Sequence, residues 1–153
     1  MTVFACARCG SRLTPNLRRV PAPGYDLIDD PTLLYQYIPR MLPGTFAVDP
    51  EPFGPSDIRC AATRGTVILN PGDIRGTKAH TDYLRRSGCC RPSGTYGPNL
   101  VCVVCGSEVA TEQTDCWTAP AVHLEPAAVM TRSGRTAGSA VDPRKGPGRR
   151  RIR

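Results

Sequence analysis

The heptapeptide FACARCG at residues 4–10 returns as LVCVVCG at residues 100–106. Each copy carries a C-x-x-C pair followed by glycine: Cys6 and Cys9 in the first, Cys102 and Cys105 in the second. A short knuckle with this spacing presents two sulfurs to one ion, and two knuckles complete the tetrahedral thiolate set of structural zinc. Apolar residues precede each first cysteine, Val3 and Phe4 or Leu100 and Val101, and another follows each glycine, Leu13 or Val109. That pattern reads as strand, knuckle, strand. Gly10 and Gly106 suit the positive φ that such a turn needs, and backbone amides there can donate to the thiolates. If the four sulfurs meet, they clip the ends of the folded region together and everything between is an insertion.

The insertion is long. Between Cys9 and Cys102 lie 92 residues, against roughly 15–20 in an ordinary zinc ribbon. Loop-closure entropy grows only logarithmically, so the extra length costs on the order of 1.5 kcal/mol. Structural zinc supplies roughly 10–16 kcal/mol in small peptides at neutral pH, which makes the insertion tolerable. A rival partition uses Cys90, Cys102, Cys105 and Cys116, all in the C-terminal half. It strands Cys6 and Cys9 and ignores the matched knuckles, so the split set is preferred.

The split set leaves Cys60, Cys89, Cys90 and Cys116. They could form a second zinc site, with His80 or His123 as a substitute ligand, but adjacent Cys89 and Cys90 are awkward as two ligands of one tetrahedron. The favoured reading has one of the two ligating or pairing with Cys116 and the other a bystander, with Cys60 an ordinary half-buried cysteine. A redox dithiol at CARC would need a helix after it to lower the thiol pKa, and GSRLTP cannot sustain one. His123-Leu124-Glu125 matches the H-x-E of zinc deaminases, but it follows the CxxC instead of preceding it, and Val101 stands where those enzymes have proline. The alternation of Val122, His123 and Leu124 reads as a strand, and Trp117 as core packing near the metal. The chain contains no P-loop, Rossmann fingerprint, nucleophile elbow or HExxH.

Composition bounds the rest. The 153 residues suit one domain with a tail, and 16 prolines and 15 glycines break up long periodic elements. A loop-rich fold with a small core follows, of the kind that leans on metal or disulfides. The net charge of +7 lies in the tail. Residues 1–126 balance 12 basic against 12 acidic side chains, whereas 127–153 hold eight basic residues and only Asp142 as acid. Of the 20 basic residues 18 are arginine, which either phosphate recognition or a GC-rich genome would give, the genome being the favoured explanation. No secretory signal or membrane span is apparent. A cytoplasmic protein is expected, in which eight cysteines point to metal or thiol chemistry before disulfides.

Along the chain, Asp30, Pro31 and TLLYQYI predict about two turns of helix ending before Pro39. Strands are expected at 45–48, 66–70 and 121–126, while 77–88 is either a short helix or an irregular loop. The composition turns polar, Gly-rich and basic after residue 126, which sets the predicted domain boundary there.

Several short segments together resemble a family of small uncharacterised actinobacterial proteins of the streptomycete type. They are FACxxCG at 4–10, GTFAVDPEPFGP at 44–55, PGDIRGT at 71–77, CC at 89–90, GPNLVCVVCG at 97–106, DC at 115–116 and HLEP at 123–126. The resemblance implies that the knuckles, the CC pair and Cys116 belong to one design. It implies no activity.

The sequence thus predicts a mainly β, small irregular fold: zinc-ribbon-like knuckles from both ends of a domain over 1–126, a long loop-rich insertion with one short helix, and a disordered basic tail over 127–153. One Zn2+ is expected on Cys6, Cys9, Cys102 and Cys105, with a second cysteine feature, or a second metal, at Cys89, Cys90 and Cys116. The expected role is a binding module for protein or nucleic acid. In the nucleic-acid version Arg144, Lys145, Arg149, Arg150, Arg151 and Arg153 would contact phosphates without reading sequence. The alternative is a thiol-dependent or zinc-dependent enzyme, a redox dithiol or a metal-activated hydrolase, using the remaining cysteines and His123.

Overall fold

The computed structural model describes residues 1–23, 38–49, 65–116 and 118–133. The expected helix after Asp30, Cys60, Trp117 and the six basic tail residues named above lie outside the described residues. Within them the fold is mainly β. Helix is confined there to two 3-10 turns, Pro71–Asp73 and Leu84–Arg86.

Among the described residues nine strands form two sheets. The smaller pairs β1 (Thr2–Cys6) with β9 (Val129–Ser133), antiparallel, Thr2 opposite Ser133 and Cys6 opposite Val129. The larger sheet contains β2 (Arg18–Arg19), β3 (Thr45–Asp49), β4 (Thr66–Leu69), β5 (Thr77–Ala79), β6 (Leu100–Cys102), β7 (Glu108–Gln113) and β8 (Ala121–Leu124). Its spatial order is β2-β3-β4-β8-β7-β6-β5. Among the described pairs of this sheet only β2–β3 is parallel. Strand pairing therefore continues past residue 126, where composition had put the end of the domain. β9 is amphipathic only weakly, with Val129 half-buried and the rest exposed, so it is held by its backbone ladder to β1 more than by burial.

The apolar runs TFAV, TVIL and AVHL become the central strands β3, β4 and β8, as β-branched and aromatic residues favour. Side chains alternate across a strand, and one face of the larger sheet packs against β1. Phe46, Val67, Leu69, Leu100, Ala110, Val122 and Leu124 form the main core with Phe4 and Leu17. Phe4 and Phe46 meet edge to face with ring centres 5.0 Å apart, a favoured aromatic geometry. The opposite face buries Ala47, Ile68 and Ala121 with Met41. The register places Asp49, Thr66, Thr111 and His123 on that same face, each buried.

The segment 77–88, open between helix and loop in the sequence, contains β5 and then the 3-10 turn, whose Leu84 amide donates to Asp82 Oδ1 (2.9 Å). The NPGD stretch makes the other turn. Asn70 caps it by accepting from the Gly72 amide (2.8 Å), and Asp73 accepts from the Gly44 amide (2.7 Å), pinning the approach to β3. Asn99 lies buried at the bulge where β6 slips register against β7. Its side chain exchanges two hydrogen bonds with the backbone of Glu112 (2.7 and 2.8 Å), standing in for the lost ladder.

Candidate metal centre

The two knuckles are built alike. In the first, the Cys6 amide donates to Ser11 O (2.8 Å) and the Gly10 amide to Cys6 O (2.8 Å). In the second, the Cys102 amide donates to Ser107 O (2.8 Å) and the Gly106 amide to Cys102 O (2.9 Å). Gly10 and Gly106 have φ of 72° and 73°, the left-handed conformation in which a Cβ is strained. At Gly10 a Cβ would also stand 2.7 Å from the Arg132 guanidinium, which β9 lays over the first knuckle. Further backbone bonds tie each knuckle to distant chain: Ala7 amide to Ala128 O (2.9 Å), Val103 amide to Gly76 O (3.0 Å), and Arg75 amide to Leu13 O (2.7 Å). The knuckles thus meet because β1 and β6 present them at one end of the sheets. A small core of Leu13 and Val109 forms around Cys6 and Cys102.

The sulfurs of Cys6, Cys9, Cys102 and Cys105 all lie within 4.8 Å of one another. Cys6 Sγ is 3.6 Å from Cys105 Sγ, and Cys9 Sγ is 3.6 Å from Cys102 Sγ. The first thiol of each knuckle therefore faces the second thiol of the other. A tetrahedron with metal–sulfur bonds of about 2.3 Å has edges of about 3.8 Å, so the four sulfurs already stand near the corners that one ion needs. Cys6 and Cys102 are buried, Cys105 half-buried and Cys9 exposed.

Electrostatics separate the thiols. The Ser107 hydroxyl, 3.3 Å from Cys105 Sγ, and the Ser107 amide stabilise the thiolate and lower the Cys105 pKa to about 6. Cys9 receives the matching amide bond from Ser11, but desolvation and the three facing sulfurs outweigh it and push its pKa up to about 12. A cation among the sulfurs would supply the missing positive charge. Serine follows glycine in both copies of the repeat, a signal the sequence reading passed over.

A second group is formed by Cys89, Cys90 and Cys116, whose sulfurs also lie within 4.8 Å of one another. Cys89 Sγ and Cys90 Sγ are 3.9 Å apart. The adjacent cysteines thus turn to one side together, and both stand beside Cys116, where their adjacency had suggested that only one would. Asp115 is responsible. Its buried carboxylate accepts the amides of Cys89 (2.8 Å), Cys90 (2.9 Å) and Cys116 (2.8 Å). Burial alone would raise the Asp115 pKa, but these three donors and the Cys116 thiol bring it below the usual carboxylate value. Burial, the two neighbouring thiols and Asp115 push the Cys116 thiol up to about 12. Both cysteine groups can hold metal ions by geometry and donor type.

Neither histidine joins either group. His80 accepts the Asp82 amide at Nδ1 (2.9 Å) and faces Glu108 (3.3 Å). His123 is buried on β8, and neither ring nitrogen has a hydrogen-bond partner among the described residues. The rival ligand set, with Cys90 and Cys116 joining Cys102 and Cys105, is not brought together: Cys90 and Cys116 group with Cys89, and Cys102 and Cys105 with the first knuckle. Neither residue of the H-x-E pair belongs to a thiol group, and Glu125 accepts from the Thr111 hydroxyl (3.4 Å). No helix among the described residues is long and apolar enough to cross a membrane. No family model, curated protein or solved structure shows a significant match to the chain.

Proposed function

We propose that Cys6, Cys9, Cys102 and Cys105 hold one Zn2+ in a closed structural site, and that the protein works as a binding module whose surface the metal keeps in shape. The observation that carries this reading is the reciprocal pairing of the four sulfurs, 3.6 Å apart across the knuckles. Four thiolates fill a tetrahedron and leave no position for water or substrate, which fits structure and not catalysis. The bound ion joins β1, at the start of the chain, to β6 and β7, so its loss would release the packing between the two sheets.

The partner is protein or nucleic acid. For nucleic acid the basic residues beyond Ser133 supply phosphate contacts, and binding would weaken steeply with salt.

Two measurements test the reading. Native mass spectrometry of protein purified without added metal, with reactive thiols counted before and after chelation, should find zinc and four thiols protected by it. Cys6→Ser and Cys102→Ser should each release that ion and unmask the set. Four thiols that react at full rate in zinc-loaded protein would refute the closed site. For the partner, a chain ending at Ser133 should lose affinity for single-stranded and duplex oligonucleotides while keeping its zinc. Unchanged affinity would remove the tail from the reading.

A further inference from the structure

Cys89 and Cys90 are exposed and Cys116 half-buried, in a group separate from the knuckle sulfurs. In an extended chain neighbouring side chains point to opposite sides, so two adjacent thiols on one side need a bent backbone held in place. Here the bend is over-determined. One buried carboxylate, Asp115, accepts the amides of all three cysteines at 2.8–2.9 Å. The loop closes through the Ser93 amide to Ser87 O (3.0 Å) and is anchored to the end of β7 by the Thr114 amide to Pro92 O (2.9 Å). Gly88 is required for that closure, since a Cβ there would lie 1.9 Å from Arg91 O and 2.7 Å from Asp115 Oδ2.

The outcome is three sulfurs within 4.8 Å of one another, with the Cys89–Cys90 edge at 3.9 Å. That edge matches the about 3.8 Å of a tetrahedral thiolate site. No fourth histidine, cysteine or carboxylate ligand completes the group among the described residues. Asp115 does not serve, because its oxygens are committed to the three amides. Three thiolates select soft or borderline cations over Mg2+ or Ca2+.

We propose that Cys89, Cys90 and Cys116 form a second metal site, a trithiolate for Zn2+ or a similar soft divalent ion, whose fourth position faces solvent and takes an exchangeable ligand. The site stands on its own residues and does not depend on the closed knuckle site. Its chemistry differs accordingly: a closed site holds its ion for structure, whereas an open one can pass the ion on or accept a thiol or imidazole ligand.

The test uses the full chain, stripped of metal and kept reduced with a phosphine, and titrated with Co2+ and in parallel with Zn2+. Wild type should take two equivalents by native mass. Cys116→Ser and Cys90→Ser should each take one and retain the equivalent that Cys6→Ser loses, so the two sites are counted separately. Imidazole added to Co2+-loaded protein should shift the visible bands of the Cys90-dependent equivalent and leave the other unchanged. A chelator should strip that equivalent at least tenfold faster. A wild type that takes one equivalent and keeps it in Cys116→Ser, or a Cys116→Ser chain that still takes two, would overturn the site. Visible bands indifferent to imidazole would overturn its open position.

Discussion

His123 makes a sharp test of how the larger sheet is packed. It is 1% exposed, and Arg40, paired with Asp49 at 3.1 Å, lies close enough to act on it. Burial first, and then the Arg40 charge, lower its pKa to about 4, with Asp49 opposing incompletely. In the unfolded chain the value returns to about 6.5. Above pH 6.5 both states are neutral there and the full stability is present. As the pH falls below that, the unfolded chain takes a proton that the folded one refuses, so stability declines until the folded pKa is reached. A difference of about 2.5 units is about 3 kcal/mol in total, of which about 2 kcal/mol is gone by pH 5. Urea unfolding of wild type and His123→Leu, at pH 7.5 and pH 5 with equal zinc, isolates this contribution because the metal sites cancel in the comparison. At pH 7.5 the variant should match or exceed wild type, since leucine removes two buried nitrogens without partners among the described residues. Between pH 7.5 and 5 wild type should lose about 2 kcal/mol more than His123→Leu. Parallel losses in the two proteins would refute a neutral, buried His123.

With zinc in the knuckles as proposed, its removal should take away about 10 kcal/mol or more, comparable with the whole stability of a domain. Excess chelator, or Cys102→Ser, should therefore abolish cooperative thermal unfolding followed by near-UV circular dichroism. Gly88→Ala should cost at least 1–3 kcal/mol by urea denaturation through forced overlap with Arg91 O and weaken the Cys116-dependent metal equivalent. Gly44→Ala, where open space surrounds the missing Cβ but φ is 75°, should cost only about 1–2 kcal/mol. A chain ending at Ser133 should unfold within about 0.5 kcal/mol of full length, whereas one ending at residue 126 loses β9 and the Arg132 contact and should melt well below it.

How much of this was legible in the sequence depends on whether a feature is local. The knuckles were readable because CxxCG states its own geometry: ligand spacing, a glycine for positive φ, and strand-like flanks. The strands β3, β4 and β8 were readable because each is an apolar run ended by a turn signal. The sheet order was not, since β8 lies between β4 and β7 through pairings that no local pattern specifies. β9 was missed for a related reason. VMTRS has one half-buried side chain, so its place is fixed by backbone pairing to β1, and composition alone assigned it to the tail.

The CC pair shows where local reasoning misleads. Adjacency argues against shared ligation only if the backbone is extended, and here it is bent by a residue 25 positions away from Cys90. Asp115 next to Cys116 was the available signal: a carboxylate beside one thiol can gather the amides of the others. Once Asp115 is buried, its carboxylate needs donors, and the bent loop supplies three amides. The same hydrogen bonds that satisfy the carboxylate therefore set the three sulfurs side by side, and Gly88 is the one residue type that lets the loop close over them.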